Sequence, residues 1–137
     1  MKLFLYTDGG SRNNPGPAGI GGIGLDAHGK EVFRFKKFLG NATNNQAEYS
    51  ALIEGLKKAS HAGANEVSCF LDSELVVKQL NGHYKIKHPD IKPLAAEALK
   101  LTNKFNNVNF SHIKREKNQI ADRLVNEAID EHTQRRE

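Results

Sequence analysis

The chain carries one cysteine, Cys69, and its 137 residues contain no apolar run of membrane-spanning length. A single thiol excludes an internal disulfide and a multi-cysteine zinc site, and within an alternating apolar stretch Cys69 reads most simply as a core residue. Leu3–Tyr6 is too short for the apolar core of a secretory signal, and no small-residue cleavage site follows; the expectation is a cytoplasmic protein without membrane attachment. Internal repeats, low-complexity segments and linkers are also absent, and the length suits one domain with a sizeable core rather than two. Hydrophobic residues make up 38%, as in soluble globular proteins. A formal charge of +4 and a pI near 9.2 favour a polyanionic partner without demanding one.

The organising stretch is Lys2–Asp8, a strand rich in aromatic and aliphatic residues that is cut off by Gly9-Gly10. It leaves a carboxylate at the end of a strand that should be buried, and burial of an ionised Asp calls for a cation or strong donors. Glycines, prolines and asparagines fill the loop Gly9–Pro17, which suits a backbone that approaches a ligand closely. The alternative for this segment alone is an ordinary Asp-Gly turn.

Ala18–Leu25 and Glu31–Leu39 read as two further strands joined by a turn at Asp26–Gly29. A helix follows, with overlapping start signals at Thr43-x-x-Gln46 and Asn45-x-x-Glu48 and an apolar face reaching about Ala62, where Gly63 stops it. Glu66–Asp72 alternates as a central strand and also ends in an Asp; Glu74–Leu80 is a short helix closed by Asn81-Gly82. The basic segment His83–Asp90 precedes a helix over roughly residues 91–105 with Pro93 in its first turn. Val108–Ile113 is a last strand, and Asn118 caps a final helix carrying Ala121, Leu124, Val125, Ala128 and Ile129. The expected folded unit is 1–130, with 131–137 a charged tail that frays. The order βββαβααβα places the fourth strand parallel to a neighbour, most simply the first, in a mixed sheet with helices packed on it.

In that layout Asp8 and Asp72 end adjacent strands, Glu48 lies in the first turn of the intervening helix and Asp122 opens the last helix. All four can converge on one end of the sheet, where open α/β sheets place ligands. Carboxylates so crowded repel unless their pKa values rise or hard cations enter, and an oxygen-only donor set favours Mg²⁺ or Mn²⁺ over Zn²⁺. A paired-metal site of this kind suits in-line displacement at phosphorus. Helix-dipole preference alone would account for Glu48 and Asp122 taken singly, but not for Asp8 and Asp72 on strands.

At this point the chain resembles the ribonuclease H family, type one. The matching segments are Tyr6-Thr7-Asp8-Gly9-Gly10-Ser11 with Asn14-Pro15-Gly16-Pro17, Thr43-Asn44-Asn45-Gln46-Ala47-Glu48, Leu71-Asp72-Ser73 and Asn118-Gln119-Ile120-Ala121-Asp122. The resemblance implies an α/β ribonuclease H-like fold with a five-stranded mixed sheet flanked by helices. It also implies a monomeric endonuclease that cuts the RNA strand of RNA–DNA hybrids, leaving 5′-phosphate ends, with Mg²⁺ or Mn²⁺ and two ions when substrate is bound. Asp8, Glu48, Asp72 and Asp122 are by resemblance the catalytic metal ligands, Asn14, Asn44 and Asn45 minor-groove contacts, and Thr43 part of a pocket for a DNA phosphate. An amide donates and accepts at once, which suits a 2′-hydroxyl; helix capping is the alternative role for Asn44 and Asn45. Lys85 and Lys87 are candidate phosphate contacts.

Glu74 stands where better-known members often have a Gln that contacts RNA, which implies weaker or more metal-dependent hybrid binding. The long basic protrusion of some bacterial members is missing, with Tyr84–Lys92 a short substitute, and the loop bearing glycine and histidine that many members place before the last Asp has no room. His112 belongs to a strand by its alternation and is not equated with that loop's histidine. The rival readings are a related nuclease acting on other structured or double-stranded RNA, and a non-catalytic hybrid-binding protein; the latter needs positive charge rather than four acids.

Overall fold

A computed structural model describes residues 1–136. The strands are β1 (Lys2–Ser11), β2 (Gly16–Leu25), β3 (Glu31–Ala42), β4 (Glu66–Leu71) and β5 (Asn107–His112), and the helices α1 (Asn44–His61), α2 (Glu74–Leu80), α3 (Lys92–Leu101) and α4 (Gln119–Arg136). Short 3₁₀ turns occupy Thr102–Lys104 and Arg115–Lys117. The five strands form one mixed sheet in the order β3-β2-β1-β4-β5, with β1, β2 and β3 antiparallel and β4 parallel to both β1 and β5. This is the five-stranded mixed sheet flanked by helices that the sequence leads one to expect.

Alternation decides the two faces of the sheet. Leu3, Leu5, Val67, Cys69 and Leu71 form a core with Leu52, Ile53 and Leu56 of α1 and Ala95, Ala98 and Leu101 of α3. Each fully buried aliphatic side chain of this set contributes about 1.5–3 kcal/mol. On the opposite face α4 lies against β2, β3 and β1, burying Leu124, Val125, Ala128 and Ile129. Gly21 permits that approach, since a Cβ there would press on Leu124 Cβ at 2.6 Å and the Ala121 carbonyl at 2.7 Å.

Several local expectations change: β3 runs on to Ala42, α3 is confined to Lys92–Leu101 and β5 is Asn107–His112. β1 runs past Asp8 to Ser11, because Gly9, Gly10 and Ser11 continue the ladder with β2 opposite Ile20, Gly19 and Ala18. The start of α1 uses the Thr43–Gln46 capping box, not Asn45–Glu48. Residues 131–136, read from the sequence as a fraying tail, belong to α4: Lys36 of β3 pairs with Glu131, and His132 stacks on Phe38 with ring centroids 3.7 Å apart. Residue 137 lies outside the described residues. No helix among the described residues is long and apolar enough to cross a membrane.

Candidate active site

Parallel pairing of β1 with β4 ends at Tyr6 and Phe70, so Asp8 and Asp72 lie just beyond it, side by side. Asp8 is still within β1, opposite Gly21 of β2, and Asp72 follows β4 directly. Glu48 is not in the first turn of α1, which contains no acidic residue; it is a buried residue of the following turn, so the helix dipole does not explain it. What brings it to Asp8 is Gly9: a Cβ at that position would collide with the Ala47 carbonyl and the Glu48 nitrogen, and its absence lets α1 sit against β1. Asp122 does occupy the first turn of α4.

Asp8, Glu48 and Asp72 can each offer an oxygen such that all three lie within 4.8 Å of one another. Asp8 is 7% exposed and Glu48 5%. Glu48 Oε1 accepts from the Gly9 N–H at 3.1 Å, whereas Oε2 is buried with no hydrogen-bond partner. Asp72 Oδ2 accepts from Asn118 Nδ2 at 3.2 Å. Asp122 Oδ1 faces Arg115 at 3.3 Å. Burial, followed by repulsion from Asp72 and Asp122 and only partly offset by the adjacent Glu48 carboxyl, pushes Asp8 up to about 7. Burial and the Asp8 carboxylate push Glu48 well above the ordinary glutamate value. Both carboxyls are thus shifted toward protonation in the metal-free site, which relieves part of the repulsion. A hard divalent cation fits the same place, given an all-oxygen donor set and the orphaned Glu48 Oε2.

These carboxylates line a cleft of about 470 Å³ whose walls also include Ser11, Arg12, Asn44, Asn45 and Arg115. Asn44 Oδ1 accepts from the Ser11 N–H at 2.8 Å, and Asn14 Oδ1 accepts from the Asn44 N–H at 2.9 Å. Both amide oxygens are thus engaged in tying the β1–β2 loop to the start of α1, and on these two exposed side chains the NH₂ groups make no hydrogen bond within the described residues. Thr43 Oγ1 accepts from the Gln46 N–H at 3.1 Å and keeps its hydroxyl hydrogen. Asn14, Thr43, Asn44 and Asn45 line a neighbouring cleft of about 340 Å³ with Gln79, His88 and Asp90. Lys85 and Lys87 line neither cleft; both are exposed, on either side of half-buried Ile86.

Arg115 and Arg12 were invisible as site residues. Arg115 lies in the six-residue connection 113–118, too short for a mobile loop, and its tie to Asp122 only appears once α4 is placed. Arg12 reaches Asp130 of α4 at 2.6 Å across more than a hundred residues of sequence. Glu74 pairs with Lys78 Nζ at 2.8 Å, so its charge is offset locally. His112 is exposed at the end of β5, as its alternation implies.

The family model described as reverse transcriptase-like matches residues 6–128. A bifunctional protein of Mycobacterium tuberculosis is 45% identical over 131 residues, which cover 95% of this chain and 36% of that protein. Ribonuclease HI of Halobacterium salinarum is 39% identical over 130 residues, 95% of this chain and 65% of that one. The chain therefore spans between about a third and two thirds of the length of these curated relatives. Among solved structures, RNase H1 of Halobacterium salinarum superposes with a TM-score of 0.93 at 39% identity, covering 96% of this chain and 99% of that one. LC11-RNase H1, solved in complex with an RNA/DNA hybrid, gives a TM-score of 0.91 at 43% identity, covering 96% of this chain and 99% of that one.

Proposed function

The chain belongs to the ribonuclease H family, and from that premise we propose that it is a metal-dependent endonuclease hydrolysing the RNA strand of RNA–DNA hybrids to leave 5′-phosphate ends. The observation that carries the reading is the meeting of Asp8, Glu48 and Asp72 within 4.8 Å of one another in a cleft that Asn44 and Asn45 also line. Asp8, Glu48, Asp72 and Asp122 would hold Mg²⁺ or Mn²⁺, two ions with substrate, and such cations would supply activation of water and charge stabilisation at the leaving oxygen.

The chain's own residues do the rest. Gly9 fixes one oxygen of Glu48 and leaves the other free for a cation. A cation held there would compensate the carboxylate charge that burial and repulsion now disfavour on Asp8 and Glu48. Arg115, paired with Asp122, keeps positive charge at the mouth of a cleft that must admit a polyanion. Asn14 and Asn44 donate to ribose 2′-hydroxyl or base-edge acceptors, Asn45 adds a further amide, and the Thr43 hydroxyl donates to a phosphate of the DNA strand. Lys85 and Lys87 lie on the surface where the flanking duplex backbone passes. The catalytic unit runs from β1 through α4 and acts as a cytoplasmic monomer.

A gel assay on end-labelled hybrid, duplex DNA and duplex RNA, each with and without Mg²⁺, tests the reading. Cleavage restricted to the RNA of the hybrid and dependent on Mg²⁺ is expected. Equal cleavage of duplex DNA, or none of the hybrid, contradicts it, and preferential cutting of duplex RNA moves the substrate to double-stranded RNA.

A further inference from the structure

Resting on the metal-site reading above, we propose that Asn118 is a positioning residue: its buried carboxamide fixes where the Asp72 carboxylate and the first turn of α4 stand relative to Asp8. Asn118 is 2% exposed. Its Nδ2 donates at 2.9 Å to the main-chain oxygen of Thr7 and at 3.2 Å to Asp72 Oδ2, and its own carbonyl accepts from the Asp122 N–H at 3.1 Å. One residue therefore touches the backbone next to Asp8, the side chain of Asp72 and the backbone of Asp122.

Strand pairing alone does not hold these groups together. The β1–β4 ladder stops at Tyr6 and Phe70, so past that point the edge of β1 facing β4 has no strand partner, and Asn118 supplies the donor that Thr7 receives. Both receiving atoms are acceptors without a hydrogen. Only a side chain with two N–H bonds on one atom satisfies them together, and of the uncharged side chains of this length Asn is the one that has it.

The other end of the amide makes the same point. Asn118 Oδ1 is buried with no partner, although an Asn placed before a helix normally turns that oxygen to cap a backbone N–H. The side chain is oriented by its two hydrogens, at the expense of the cap. Hydrogen bonds to a ligating carboxylate set its direction, and losing such a partner typically lowers metal affinity by about 10–100-fold. The inference is that Asn118 acts on metal loading through Asp72, with no contact to the nucleic acid.

The test measures Mn²⁺ affinity of the nucleic-acid-free protein, by the electron paramagnetic resonance signal of free Mn²⁺, for Asn118→Leu, Asn118→Ser, Asp72→Asn and the Asn118→Leu/Asp72→Asn double variant. Circular dichroism checks folding, and hybrid affinity is measured in chelator. Asn118→Leu should bind Mn²⁺ about tenfold or more weakly, with hybrid affinity in chelator unchanged. Asn118→Ser, which keeps one donor, should fall between Asn118→Leu and the wild type, and it carries the comparison if the leucine variant does not fold. Adding Asn118→Leu to Asp72→Asn should cost little more, because both act through one carboxylate. Wild-type Mn²⁺ affinity in the folded Asn118 variants, or full additivity with Asp72→Asn, overturns the proposal. If Asp72→Asn itself leaves Mn²⁺ affinity intact, the metal-site reading fails and takes the proposal with it.

Discussion

The main-chain N–H of Gly9 donates to Glu48 Oε1 at 3.1 Å, and the same glycine has no room for a Cβ against the Ala47 carbonyl. The strand that carries Asp8 and the helix that carries Glu48 are thus in direct backbone contact. Gly9→Ala should force α1 away from β1, at a cost of about 1–3 kcal/mol in stability. It should also raise the Mg²⁺ needed for half-maximal cleavage, because Glu48 moves with the helix. Thermal unfolding and a Mg²⁺ titration of cleavage check both effects; unchanged values in the variant would mean the contact does not set the site.

Metal-free stability should fall as pH rises. Asp8, ordinarily 3.8, is pushed up to about 7, and Glu48 is raised from 4.5, both chiefly by burial. A carboxyl with a raised folded-state pKa binds its proton more tightly when folded, so its contribution is complete below the unfolded values and disappears as pH climbs through the folded ones. In chelator, Tm should therefore drop by roughly 5–10 °C between about pH 5 and pH 8. Saturating Mg²⁺ should remove the drop, and Asp8→Asn should reduce it. A Tm in chelator that is flat or rising over this range contradicts the upward shift of these two carboxyls.

Much of the fold is legible in the sequence. The short helix α2 has the bounds the sequence implies, closed by Asn81-Gly82, and β5 lies one residue earlier than the expected Val108–Ile113, its alternation being local. What escaped was non-local. Gly9 and Gly10 look like strand breakers, yet β2 pairs with them. Residues 131–136 look like a loose charged tail, but their partners Lys36 and Phe38 come from β3, some ninety residues earlier. Asn118 matches a capping pattern, and only the placement of Thr7 and Asp72 reveals that its amide turns the other way. The convergence of the carboxylates followed from topology; the orphaned oxygen on Glu48 did not.

Substrate choice should respond to the free amide donors. Asn44→Asp keeps an oxygen for the Ser11 N–H, so the fold should survive, but it removes both NH₂ donors. Hybrid affinity should fall roughly tenfold or more, from lost hydrogen bonds and added negative charge. Lys85→Ala and Lys87→Ala should leave the preference for hybrid over duplex DNA intact while flattening the salt dependence by about one charge each. Binding isotherms at several salt concentrations distinguish the two classes. An unchanged slope returns both lysines to the solvated surface.

His112 should be dispensable. It is exposed at the end of β5, on a strand that cannot swing over the carboxylates, so His112→Ala should change kcat by less than about tenfold. A loss of about a hundredfold, with fold and metal affinity intact, would make it an acid–base group.

The most direct measurement is single-turnover cleavage of a labelled RNA–DNA hybrid by Asp8→Asn in Mg²⁺, with hybrid binding followed in parallel. The substitution keeps size and shape and removes one carboxylate charge from the cluster it forms with Glu48 and Asp72. Cleavage lost by about a thousandfold or more, with hybrid affinity retained, is the expected result. Cleavage at near wild-type rate would contradict the assignment of these carboxylates as the metal site.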